Sequence, residues 1–233
     1  MINFFNKFTE SKNREEKVSI IENTQEFKKM FSELVKKSNE ETIKKTIKFM
    51  ANEIQGELLS KCFYNDRNYR QYMDMIEKSL TLDLEMDAFQ KCNIVVDIAE
   101  TPVISCVWNF ERVKEALYHL GKCNNNPFDG KTYSGNIMAY LIEPLGVVLV
   151  INGNHSVNAA IVQQEGEIIV ETKVDISSAL DKYNFNGEDY IDIITGEKIE
   201  HTMLKNGSQP FTYTLGLMFE MARVLKENRM EER

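Results

Sequence analysis

Residues Val147 to Val174 read VVLVINGNHSVNAAIVQQEGEIIVETKV, and the order of signals in this stretch decides the fold. Val147 to Ile151 is a short β-branched run of strand length, and it stops at Asn152-Gly153-Asn154-His155-Ser156,. A short helix carrying Val157, Ala160 and Ile161 follows, Gly166 ends it, and Ile168 to Val174 returns to a β-branched pattern,. Strand, tight glycine turn, helix and strand in succession are the repeating unit of an α/β layer.

Upstream, Ile137 to Ile142 precedes Glu143-Pro144-Leu145-Gly146, which has turn chemistry with proline in second place, so it should pair with Val147 to Ile151 as a hairpin,. The polar segment CNNNPFDGKTYSG, residues 123–135, has no period and reads as a loop. Before it, Asn109 caps a predicted helix from Phe110 to Leu120 that Gly121 stops,. Earlier still, from Asn93 onward, Ile94 to Ile98 and Val103 to Val107 are strand-like runs separated by Thr101-Pro102,.

The first 90 residues carry a different period. Phe27, Met30, Phe31, Leu34 and Val35 form one helical stripe with Thr24 as N-cap, and residues 1–16 are assigned no structure,. Asn39 opens a second helix whose stripe runs through Ile43, Ile47, Met50, Ile54 and Leu58,. Asp66 opens a third, through Tyr69, Tyr72, Met73, Ile76 and Leu80, continuing brokenly through Leu84 and Phe89. At the other end, Asp189 to Ile194 and Lys198 to Met203 flank Thr195-Gly196-Glu197 as an accessory hairpin, and the apolar helix Phe211 to Leu225 should close over the sheet. The expected fold is therefore α/β (α+β): a helical N-terminal region over residues 1–92, and over residues 93–233 a small mixed sheet with an accessory hairpin and a C-terminal helix,.

Composition narrows the function. Of 233 residues, 42% are apolar and 27% charged, with only 11 Gly and 4 Pro, which excludes collagenous and largely disordered chains,. No apolar run approaches the ~20 residues of a membrane span, and the start lacks a secretory core, so the expectation is a cytoplasmic chain with no membrane partner,. Net charge is −8. Residues 1–60 hold 11 Lys/Arg against 10 Asp/Glu, and residues 61–233 hold 17 against 26, a balance that leaves the acidic part poorly suited to coat a nucleic acid and argues against a nucleic-acid partner,. The cysteines, Cys62, Cys92, Cys106 and Cys123, lack zinc-ligand spacing and read as reduced core thiols, with no metal site implied,.

The chemistry is concentrated in the glycine turn. A glycine permits a sharp bend and close approach, and the helix behind it presents unpaired N–H groups at the positive end of its dipole, where an anion can dock. The candidate ligand-binding residues are Asn152, Gly153, Asn154, His155, Ser156 and Asn158. At a helix N-terminus an imidazolium is disfavoured, so His155 is expected to be neutral near pH 7. Asn, Ser and Gly are also what any strand-to-helix connection uses to cap a helix, so the turn alone does not separate a site from a cap.

This stretch resembles the signature of the ParB/sulfiredoxin-like superfamily, in which a strand runs into G-x-H-R or G-E-R-R, then a short helix with an Ala-rich start, a glycine and a last strand. Gly153, His155, Ala159, Ala160 and Gly166 stand where that pattern wants them, over roughly residues 95–176. The chain also resembles an uncharacterised bacterial family with an N-G-N-H-S box. The resemblance implies a bacterial or phage protein that binds a phosphate or nucleotide at this box, with Mg²⁺ as the ion a nucleotide would bring. Ser156 stands at the phosphate-gripping arginine of the pattern, and Asn154 where the superfamily's peroxiredoxin-repair enzyme has cysteine and its DNA clamps have glutamate.

Rival readings stay open beside it. A catalytically degenerate regulatory or protein-interaction module, with a protein partner or homo-oligomer, keeps the box only as a cap; a DNA clamp or nuclease is third, opposed by the acidic balance. Glu111 with Glu115, and Asp97 with Glu100, are carboxylate pairs that read as solvated faces,. Lys131 is a loop cation within conceivable reach of a phosphate,. Ser156 as a nucleophile would need His119 or His201 and lacks a G-x-S-x-G elbow,. Trp108, Tyr69, Tyr72 and Phe219 are read as core rather than as base-stacking platforms,.

Overall fold

A computed structural model describes residues 2–64, 69–199 and 210–231. It is an α/β chain in which an N-terminal helical layer, joined by the C-terminal helix, covers one face of a mixed five-stranded sheet. Helices α1 (Ile2–Lys37), α2 (Glu40–Phe63) and α3 (Tyr69–Thr81) come first. Strands β1 (Phe89–Asp97) and β2 (Val103–Ser105) lead to α4 (Phe110–His119), and β3 (Met138–Glu143) and β4 (Val147–Asn152) form the hairpin before α5 (Asn154–Gln163) and β5 (Glu167–Asp175). The chain closes with α6 (Ser177–Lys182), the small pair β6 (Tyr183–Phe185) and β7 (Tyr190–Asp192), and α7 (Pro210–Glu231).

The periodic helices stand where their stripes and caps put them. Asn39 accepts the Thr42 N–H at 2.9 Å to open α2, and Asn109 accepts the Arg112 N–H at 3.0 Å to open α4,. Helix α1 differs from expectation, because it runs from Ile2, so Thr24 lies inside it and is no cap. Buried Thr24 instead donates back to the Ile20 carbonyl at 2.9 Å and meets the Tyr213 hydroxyl at 3.2 Å,. Asp66 falls outside the described residues. The helix-to-sheet change also comes earlier than Asn93, since Phe89 already pairs with Val174.

Strand order is β1-β5-β3-β4-β2. Strand β4 pairs antiparallel with β3 and parallel with β2, while β5 inserts between β1 and β3, parallel to β3. The strand–helix–strand unit of the sequence is therefore not a parallel crossover: α5 carries the chain past β3, and β5 runs opposite to β4. The pleat of β4 sends Val147 and Leu149 into the core beneath the helical layer, and Val148 and Val150 into a second core closed by Val157 and Ala160 of α5,. This two-sided burial explains the unbroken apolar run.

Helix α7 lies among α1, α2 and α3 rather than over the sheet, with Phe211, Leu215, Met218, Phe219 and Ala222 buried. Gly216 lets the helix also approach β6 closely, because a Cβ there would sit 2.3 Å from the Phe185 ring. The same helix buries a carboxylate: Glu220 is fully enclosed, ion-paired to Lys28 at 2.6 Å and to Arg223 Nε at 3.0 Å, and accepts the Phe185 N–H at 2.7 Å. Arg223 in turn donates to the Leu180 and Tyr183 carbonyls. The accessory hairpin forms as far as the described residues reach: Ile191 and Lys198 make an antiparallel bridge, the Asp192 N–H donates to the Glu197 carbonyl and the Ile199 N–H to the Tyr190 carbonyl, both at 2.9 Å, while residues 200–209 lie outside the described set. The addition is on the other edge, where β7 pairs with the upstream strand β6.

Candidate functional site

The parallel neighbours β2 and β4 end side by side, and each leads into a helix, β4 through Gly153 alone and β2 through Cys106 to Asn109. After β4, Gly153 takes φ +84° as the N-cap of α5, and a Cβ at this position would come within 2.9 Å of the Asn136 carbonyl oxygen. Only glycine fits both demands without strain. No side chain caps α5, and its first intrahelical bond is from the Val157 N–H to the Gly153 carbonyl, which leaves the amides of Asn154, His155 and Ser156 without an intrahelical acceptor,.

Asn154 ties the two strand ends together. Buried at the first helical position, its Oδ1 accepts the Cys106 N–H at 3.0 Å and lies 3.0 Å from the Ser105 hydroxyl, while the Ser105 N–H is held by buried Gln55 at 2.7 Å. Asn152 is exposed and donates to the Asn136 carbonyl at 3.1 Å. Those bonds fix the floor of an open cleft of about 640 Å³ between the two helix starts.

The walls come from both helices. Gly153, Asn154, His155 and Ser156 line one side, and Trp108, Arg112 and Glu115 line the other. The His155 ring meets the Trp108 indole edge-on at 4.8 Å, and the Arg112 guanidinium sits over the indole at 5.2 Å,. Burial first, and the Arg112 charge second, push the His155 pKa down to about 4, so the imidazole is neutral at pH 7,. Neutrality was expected, but its cause is desolvation and a neighbouring cation. The His155 Nε2 is buried and has no hydrogen-bond partner among the described residues. Arg112 makes no ion pair with any described carboxylate.

The six candidates therefore divide. Gly153, His155 and Ser156 face the cleft, Asn152 and Asn154 line it with their amides engaged in the protein, and Asn158 is fully buried outside its lining, with neither amide atom partnered among the described residues. Lys131 is paired with Glu167 at 2.7 Å and is not part of the lining. His119 contacts Glu115 at 3.2 Å, Ser156 has no base hydrogen-bonded to its hydroxyl among the described residues, and His201 lies outside the described residues. Cys62 and Cys106 are buried as expected of core thiols, whereas Cys123 is exposed. Among the described residues no group of three His, Cys, Asp or Glu side chains could hold a metal ion, and no helix is long and apolar enough to cross a membrane.

Residues 3–232 match a family model described as a family of unknown function, DUF6710. The chain belongs to that family. No curated protein and no solved structure matches it.

Two members of this DUF6710 site escape a reading of the sequence. Trp108 was expected in the core with Tyr69, Tyr72 and Phe219; the side chain of Tyr69 lies outside the described residues and Tyr72 and Phe219 are buried, but Trp108 is 38% exposed, because β2 ends at Ser105 and the chain turns outward into α4. Arg112 carries no motif of its own. Only the parallel pairing of β2 with β4 brings it beside a turn 41 positions later, the difference between Arg112 and Gly153. Its one local signal is position: it lies in the first turn of a helix that follows a β-branched strand, where ligand-facing side chains of α/β proteins gather.

Proposed function

We propose that this chain binds a phosphate-bearing small ligand, a nucleotide in the first instance, in the cleft at the start of α5. The carrying observation is that the uncapped start of α5 opens into the same cleft as an arginine with no described carboxylate partner. Orphan amides and a guanidinium supply directional donors and positive potential to one anionic group. The volume, about 640 Å³, is that of a small-molecule site, and its place outside the carboxyl ends of two parallel strands is where α/β sheets hold ligands,.

The likeness of Gly153, His155, Ala159, Ala160 and Gly166 to the ParB/sulfiredoxin-like box supports the same reading. In that pattern the arginine is sequential, and here Ser156 stands in its place. Arg112 offers a guanidinium from the opposite wall, so the role is carried by a different helix. Neutral His155 adds one hydrogen-bonding atom, Nε2, without adding charge. On this reading the chain works in a bacterial or phage-infected cytoplasm, where its four thiols stay reduced,.

Ligand-induced stabilisation tests the reading. A ligand at a hundred times its dissociation constant adds about 2.7 kcal/mol, which for a domain of this size raises the melting temperature by roughly 5–10 °C. A nucleotide panel with and without Mg²⁺ should contain at least one such ligand, and His155→Ala should reduce its effect. A flat response across nucleotides and inorganic phosphate at millimolar concentration removes the proposal.

A further inference from the structure

We infer that the cleft is selective for a ligand bearing a single phosphate, a nucleoside monophosphate, and discriminates against the corresponding triphosphate. This inference rests on the nucleotide reading above and assigns its ligand class from the charge carried by the walls.

Among the described residues lining the cleft, Arg112 is the one cation and Glu115 the one carboxylate. His155, with its pKa near 4, contributes no charge at neutral pH. Formal charge in the lining is therefore zero, one positive against one negative. What remains positive is the mouth of α5, equivalent to roughly half an elementary charge. The nearby lysines do not add to it: Lys114 is engaged by Glu111, and Lys131 by Glu167. Such a site can stabilise one phosphate group, which at pH 7 carries about −1.5 to −2. Each further phosphate would enter against Glu115 with no additional cation among the described lining residues to receive it.

A bound Mg²⁺ would ordinarily neutralise part of a polyphosphate while being held by protein carboxylates. Glu115 is the single acidic side chain among the described residues of this cleft, and it is already within 3.2 Å of His119 Nε2. The other wall suits the rest of a mononucleotide. Trp108 presents an indole that is 38% exposed, with the Arg112 guanidinium over the ring and the neutral His155 ring edge-on to it, so an aromatic base would pack against the part of the indole that these two leave open. Base stacking on such a ring tolerates every base, so the inference concerns phosphate number and leaves base identity to the panel.

Titration calorimetry on the full chain, with AMP, CMP, GMP and UMP against their triphosphates, each with and without Mg²⁺, decides it. At least one monophosphate should bind about tenfold or more tightly than its triphosphate. Glu115→Gln, which shifts the lining from zero to +1, should narrow that ratio, and Arg112→Ala should weaken the monophosphate about tenfold or more. A triphosphate that binds as well as its monophosphate overturns the inference and leaves the nucleotide reading in place. A ratio that Glu115→Gln does not move also overturns it, because the discrimination would then not be electrostatic. Failure of every nucleotide and of inorganic phosphate to bind the wild-type chain overturns the nucleotide reading and this inference together.

Discussion

Two arginines separate the two halves of this molecule. Arg223, beneath the helical layer, is tied to a fully buried glutamate and two backbone carbonyls, and that glutamate also holds Lys28 and the Phe185 N–H. Arg112, across the sheet, rests on an indole with no described ion-pair partner, beside a histidine whose Nε2 is likewise unpartnered. A polar group enclosed by the fold must find its partners within the fold, since removing one leaves a buried charge uncompensated. A polar group at an open cleft is under no such demand, and its free donors remain for something else. The first region closes its polar groups on themselves, and the second leaves donors open to the cleft.

Glu220→Ala is the strongest way to break that contrast. It strands Arg223 and the Phe185 N–H in a buried setting at once, and should cost about 3–5 kcal/mol in urea unfolding with the slope unchanged. A loss below about 1 kcal/mol would mean that water reaches the network, and that enclosure does not distinguish the two sites.

Gly153→Val comes next. The residue must adopt φ +84° and place a Cβ 2.9 Å from the Asn136 carbonyl, so either the turn opens or Asn136 moves. The left-handed conformation alone costs about 1–2 kcal/mol; with the close approach the total should reach about 2–4 kcal/mol, read as a lowered melting temperature. Gly135→Ala, at a position with open space around it, is the control and should be close to neutral.

Much of the architecture was legible because local signals and tertiary demands agree. Asn39 and Asn109 cap the helices they were expected to cap, and the apolar stripes of α2 and α7 are the surfaces that are buried. Legibility ended where the partner of a segment is set by the whole chain. Period gave β5 as a strand but not its place between β1 and β3, and Asp189 to Ile194 as a strand but not its pairing with β6. The polar first half of α1 has no stripe to announce a helix, yet the helix starts at Ile2. The site divided in the same way. Gly153 and His155 were visible in one contiguous box, while Trp108 and Arg112 enter through the β2–β4 pairing, which no spacing encodes.

His155 supplies a smaller effect with a definite sign. In the unfolded chain its imidazole takes up a proton near pH 6.5, but in the folded chain not until about pH 4,. Between those values the unfolded state binds more protons, so this residue's contribution to stability is intact above about pH 6.5 and is lost progressively as the pH falls to 4,. Discounted for a ring only half buried, the loss is on the order of 1–2 kcal/mol. His155→Gln should remove that part of the acid slope in denaturant titrations at pH 7, 5.5 and 4. An unchanged slope would place the ring in water, outside the cleft wall.

The sharpest comparison is the smallest in stability. Arg223→Ala removes donors from two backbone carbonyls and a charge from buried Glu220, and should cost several kcal/mol, of the order expected for one half of a buried pair,. Arg112→Ala removes an exposed side chain whose described contact is the indole face, and should change stability by no more than about 0.5–1 kcal/mol,. With Arg112 gone, the positive neighbour that helps depress the His155 pKa is also gone, so the acid slope of the variant should shrink slightly in the direction set by His155,. If the two arginines instead proved equally costly, Arg112 would belong to the scaffold, and its open donors would have to be explained by packing. A variant that unfolds like wild type but no longer responds to a bound monophosphate is what a recognition residue requires, because its interaction energy is realised only with the ligand present.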